Sequence, residues 1–170
     1  DTLSDASAFN VQFVGPKPVF IDHLSFRPYR DGEIWIGHRQ FCMQFLNPLI
    51  LWSRLGIAPN HWYRGSQEGI APEDLAPMLR SRDRLSWTIL THVIAQAALQ
   101  KRSVRSGATA GQHRSAKLPK ASFQGMLEGL HAFGRHHSPR AVDAILHAEL
   151  AALEQNSDAI AVQLELADRL

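Results

Sequence analysis

At 170 residues the chain has a one-domain length, and 45% apolar with 20% charged residues is ordinary for a globular protein. That composition excludes a low-complexity tract, and a net charge of only +2 excludes a strongly basic nucleic-acid binder. One cysteine, Cys42, excludes an internal disulfide and points to a reducing, cytoplasmic setting. No apolar run approaches the ~20 residues that span a bilayer, and no basic-then-apolar segment opens the chain.

The first element is Asp5 to Asp22, DASAFNVQFVGPKPVFID. Two apolar runs, Val11 to Val14 and Val19 to Ile21, flank Gly15-Pro16-Lys17-Pro18, the strongest turn signal present. This predicts a β-hairpin with Asn10 entering the first strand and Asp22 leaving the second. In an antiparallel pair both positions fall at the open end, where an amide oxygen and a carboxylate converge. Asp5 sits in the loop feeding that end. Such an oxygen set suits Mg²⁺, which takes few protein ligands and keeps other positions for water and phosphate. The same residues also serve as ordinary turn caps, and that structural reading stands beside the metal reading.

Asp5-x-x-x-x-Asn10, followed by Val19-Phe20-Ile21-Asp22, resembles the catalytic loop and metal-binding aspartate of kinase-like, aminoglycoside-phosphotransferase-type enzymes. The resemblance implies Asp5 as catalytic base, Asn10 and Asp22 as metal ligands, and Mg²⁺ with ATP or a related nucleotide as cofactors. It also implies an upstream lobe outside this chain. Leu3-Ser4 stands where the family has His-Arg, and His23-Leu24 where it has Phe-Gly. A second resemblance runs from about Asp5 to about Phe133, most distinctly at Arg39-Gln40-Phe41-Cys42 and Phe45-Leu46-x-Pro48-Leu49. It is to the N-terminal region of bacterial SAM-dependent methyltransferases related to nodulation proteins. That resemblance implies a downstream methyltransferase domain outside the chain. The chain itself has no Gly-x-Gly turn after a strand, so no SAM site is expected in it.

Beyond the polar connector from Ser25 to Gly32, Trp35 to Leu55 is densely apolar. Phe41, Phe45 and Leu49 recur every fourth residue, which predicts a core helix that Pro48 kinks or restarts. Arg39 and Gln40 are candidates to support the hairpin mouth, against the default of solvent exposure. Cys42 lies between Phe41 and Met43 and reads as a buried, inert thiol. Pro59 to Gly65 reads as a loop with aromatic anchors, and Pro72 to Ala76 as a short helix. Leu85 to Gln100 is the cleanest helix, with Asp83 as its cap. His92 lies on it with no second ligand at metal spacing.

Lys101 to Lys120 holds six Lys or Arg and no acid, and reads as a flexible basic linker. It lacks aromatics for base stacking, which argues against nucleic acid. A helix is expected over Ser122 to Phe133 despite Gly125 and Gly129. His131, His136 and His137 then fall toward an exposed turn before Ser138-Pro139. Pro139 to Leu170 reads as two helices divided at Asn156-Ser157-Asp158.

The expected fold is mainly α (α+β), a helical domain with one small N-terminal antiparallel hairpin, similar to the larger lobe of a kinase-like fold. The expected organisation is a core over 1–100, a linker over 101–120 and C-terminal helices over 121–170. The leading expectation for function is a Mg-nucleotide or phosphate-binding module, phosphotransferase-like if active, that binds a small-molecule or nucleotide ligand and no membrane. Methyltransferase activity would come only through the separate domain. The alternative is a non-catalytic helical interaction module.

Overall fold

The computed structural model describes residues 1–15, 17–106 and 118–137. The fold is mainly helical, with two small two-stranded antiparallel sheets near the N-terminus. Among the described residues no helix is long and apolar enough to cross a membrane. The chain divides into two compact units: Asp1–Phe41 with Ala116–Leu170, and Cys42–Ser115. The division falls after Phe41, at the end of α1 (His38–Phe41).

In the first unit, β1 (Thr2–Leu3) pairs with β4 (Phe26–Arg27), and β2 (Val11–Val14) pairs with β3 (Lys17–Phe20). The hairpin turn is tighter than Gly15 to Pro18, because Lys17 and Pro18 already belong to β3. Gly15 supplies the positive φ of 57° that the tight connection requires. Ile21 N donates to the Asn10 carbonyl, which fixes Asn10 and Ile21 as a hydrogen-bonded pair. Counting inward by the register, Pro18 opposite Phe13 falls at a non-hydrogen-bonded position. Its missing N–H therefore removes no ladder bond.

Trp35 is the centre of this unit's core, 2% exposed, with ring centroids 5.5 Å from Phe41 and 6.3 Å from Phe123. Its Nε1 donates to the Leu3 carbonyl at 3.2 Å, which fastens β1 to the core. Phe123, Leu127, Leu130 and Phe133 line one face of α7 (Lys120–His137) and are buried. That helix forms despite its two glycines, because burial of the row outweighs a propensity cost of about 1 kcal/mol each. It stays helical through His137, where the sequence places a turn. Arg27 grips both Glu33 oxygens at 3.1 Å. Burial works against the charged Glu33, but the Arg30 N–H and the Arg27 and Arg30 charges outweigh it and hold the carboxyl below its usual range.

The second unit begins with a π-turn, Cys42–Leu46, that runs into α2 (Asn47–Leu55). Pro48 stands in the first turn of α2, where α-helical bonding restarts after the π-turn. In a π-turn the N–H groups reach back five residues, so that of Asn47 passes over the Met43 carbonyl. Pro48 has no N–H to offer the Gln44 carbonyl. Both orphans are taken by the 60–70 segment: Ile70 N donates to Met43 O at 2.8 Å, and Tyr63 Oη to Gln44 O at 2.7 Å. Asn47 Nδ2 returns a bond to Ile70 O at 2.7 Å. The aromatic anchor expected over 59–65 is thus Tyr63, on the helical turn α3 (Asn60–Tyr63). Burial pushes its phenol pKa up, which keeps the proton it donates. Tyr63→Phe should cost about 0.5–1.5 kcal/mol by removing its hydrogen bond to the Gln44 carbonyl, read as a lower urea midpoint at unchanged slope.

After α4 (Pro72–Leu75), the helix expected over Leu85 to Gln100 is interrupted. A 3₁₀ turn over Asp83–Leu85 precedes α5 (Trp87–Ile89), a second π-turn over Leu90–Ile94, and α6 (Ala95–Ser106). Asp83 does not cap the helix; its Oδ2 accepts from Arg80 N at 3.2 Å within the preceding turn. Ile89, Val93 and Ala97 are buried as the row requires, but Leu85 is exposed. Thr91 Oγ donates back to the Trp87 carbonyl at 2.8 Å, a bond that competes with the helix ladder and accounts for the local widening. α6 continues through Ser106, past the start of the expected linker, because Lys101 and Arg102 are good helix formers. Residues 107–117, within the expected linker, and 138–170, where two helices are expected, lie outside the described residues.

Candidate functional site

The hairpin register sets the geometry of its open end. With Asn10 opposite Ile21, the chain leaves β3 directly into Asp22, and Asn10 Nδ2 stands 3.4 Å from Asp22 Oδ2. Asp22 is half-buried and also begins a 3₁₀ turn over His23–Ser25, where its Oδ1 accepts from Leu24 N at 3.1 Å. Ser25 Oγ donates to Oδ2 in a short hydrogen bond. The hydrogen-bond partners of this carboxylate among the described residues, Asn10 Nδ2, Leu24 N and Ser25 Oγ, are all neutral donors. Among the described residues no Lys or Arg forms an ion pair with Asp5 or Asp22.

Asp5 lies in the loop between β1 and the 3₁₀ turn Ala8–Asn10, and its Oδ1 accepts from Ser7 N at 2.9 Å. The loop is held from both sides. Ser4 donates twice to the Ser25 carbonyl, through N at 2.8 Å and Oγ at 2.9 Å. Ala6 N donates to Gln40 Oε1 at 2.9 Å, so Gln40 supports this end of the hairpin. Gly37 allows the approach, since a Cβ there would lie 2.9 Å from Ala6 Cβ and 3.0 Å from Trp35 Nε1.

The structure therefore brings Asn10 and Asp22 together and fixes Asp5 on the loop that precedes them. Ser7 and Ser25, which orient the two carboxylates, escape sequence reasoning because lone serines carry no spacing signal. The set offers oxygen ligands and no cation, which fits a hard divalent ion. The Asn10 amide shows its nitrogen to Asp22; a half-turn of the amide plane puts Oδ1 there instead.

No family model matches the chain, and no solved structure matches it. It is similar to the nodulation protein NoeA of Rhizobium meliloti (strain 1021), 46% identical over 132 residues. The match covers 77% of this chain and 28% of NoeA, so the chain spans under a third of that relative's length.

Proposed function

We propose that this relative of a nodulation protein carries, in its first unit, the metal-and-phosphate half of a phosphotransferase-type site. Asn10 and Asp22 would hold Mg²⁺, and Asp5 would accept the proton of an acceptor hydroxyl. The ion, when bound, would offset the charge of the nucleotide's phosphate oxygens. One observation carries the reading: an amide and a half-buried carboxylate meet at 3.4 Å, and among the described residues no Lys or Arg forms an ion pair with that carboxylate. The chain's own residues supply the orientation. Ser25 and Leu24 N fix the Asp22 carboxylate, Ser7 N fixes Asp5, and Gln40 with Gly37 holds the loop at its distance. Association with a SAM-dependent methyltransferase domain, and with an upstream lobe that completes the nucleotide site, belongs to the same proposal.

The structural alternative draws on the capping bonds of Asp22, which satisfy both its oxygens without any ion. Titrating Mg²⁺ and ATP against thermal stability separates the two. A ligand at 100 times its Kd adds about 2.7 kcal/mol to the folded state and raises the midpoint by several degrees. Asp22→Asn should abolish that rise while keeping the fold, and Asp5→Asn should keep it but remove any transfer. An interaction module gives no rise at all. It predicts only the loss of about 1 kcal/mol that a weakened cap costs.

A further inference from the structure

Both π-turns of the second unit place a ligand-capable side chain in the core. Cys42 is the first residue of Cys42–Leu46, and His92 is the middle residue of Leu90–Ile94. Their exposures are 0% and 8%, and Cys42 Sγ lies within 4.8 Å of a His92 ring nitrogen. Each bulge has a local prop already described, Pro48 for the first and Thr91 for the second. Two helices are thus distorted at the two points where thiol and imidazole meet, and π-bulges concentrate at functional positions.

We propose that Cys42 and His92 are two ligands of a buried site for a thiophilic transition-metal cation, zinc or copper(I). An ion bound at about 2.3 Å to sulfur and about 2.0–2.1 Å to nitrogen spans at most ~4.4 Å, so a pair within 4.8 Å is drawn in slightly as the ion binds. Burial holds the His92 pKa at about 4, so the ring is neutral at physiological pH and one nitrogen keeps its lone pair. Cys42 must lose a proton to bind; the proton leaves to buffer as the sulfur–metal bond forms. Thiolate ligands select zinc or copper(I) over Mg²⁺, which makes this chemistry distinct from the oxygen set at Asp22. Other coordination positions remain for water or further side chains.

The test uses the whole chain, stripped with chelator and reloaded with Zn²⁺, with Cu⁺ under reductant, or with Co²⁺ as an optical probe for the zinc arm. One equivalent of zinc or copper should be retained per chain, and excess Mg²⁺ should not displace it. Because Cys42 is the sole cysteine, a thiolate-to-cobalt charge-transfer band in the unmutated protein reports on it directly. That arm needs no core substitution that might unfold the chain. Cys42→Ala and His92→Gln should each weaken retention at least tenfold. Absence of the band together with no retained zinc or copper, or retention that survives Cys42→Ala, overturns the proposal.

Discussion

Gly69→Ala should be among the most damaging single substitutions in the described residues. Gly69 sits at φ +86°, where a side chain already costs about 1–2 kcal/mol. The added Cβ would lie 2.3 Å from the Met43 carbonyl oxygen and 2.7 Å from its carbon, both backbone atoms that cannot rotate away. Relief requires lifting the segment off the first π-turn. That breaks the Ile70 N–Met43 O and Asn47 Nδ2–Ile70 O bonds and buries unpaired groups at about 1–3 kcal/mol each. The total is about 3–8 kcal/mol, a large part of a domain's stability. Gly125→Ala, in α7 with nothing within 4 Å of the new methyl, should instead stabilise by up to about 1 kcal/mol. Urea unfolding of the two variants should therefore shift in opposite directions. Equal small losses would show that the close approach at Gly69 is misjudged.

Trp35→Ala should cost the first unit about 3–5 kcal/mol, the range for emptying an aromatic from a packed core. Phe41 and Phe123 both lose their central contact, and Leu3 loses the indole that holds its carbonyl. The effect should reach the candidate site, because β1 delivers the chain directly to Asp5. Any Mg²⁺-dependent rise in the thermal midpoint should disappear with it. Trp35→Phe keeps most of the volume and gives up one hydrogen bond, so a loss of about 1 kcal/mol is expected. If both substitutions cost the same, the bond to Leu3 matters more than the packing.

Local chemistry made the mainly helical class and the N-terminal hairpin legible. Alternating apolar runs around Gly15-Pro16 define two strands, and the period-four rows of Phe41, Phe45 and Leu49 define a helix. Hairpin geometry brings Asn10 and Asp22 to the same open end, but with Asn10 opposite Ile21 strand alternation alone would put Asp22 on the other face. The two side chains meet where both residues have left the strands, at the 3₁₀ turns Ala8–Asn10 and His23–Ser25. What stayed hidden depends on groups distant in sequence. Pro48 marks the restart of the helix at Asn47, but the π-turn before it is not legible, because Tyr63 and Ile70 satisfy the carbonyls left open there. Asp83 reads as a cap when the helix is taken to start at Leu85, but Leu85 and Trp87 are exposed and the buried apolar row begins at Ile89. Cys42 and His92 lie on separate helices and share no motif spacing, so nothing in the sequence joins them. Gln40 was ambiguous for the same reason, since its partner is a backbone N–H at Ala6.

We propose that the hairpin mouth binds a divalent cation at Asn10 and Asp22. The most direct measurement is a Mn²⁺ titration followed on the side-chain amide resonances of Asn10, with Asp22→Asn as the reference. Mn²⁺ replaces Mg²⁺ at oxygen sites, and its paramagnetism broadens only nearby nuclei. Saturable loss of the Asn10 signal, reversed by excess Mg²⁺ and absent in Asp22→Asn, is the predicted result. An Asn10 signal that persists unchanged through the titration, or broadens equally in the variant, would contradict it and leave Asp22 as a turn cap.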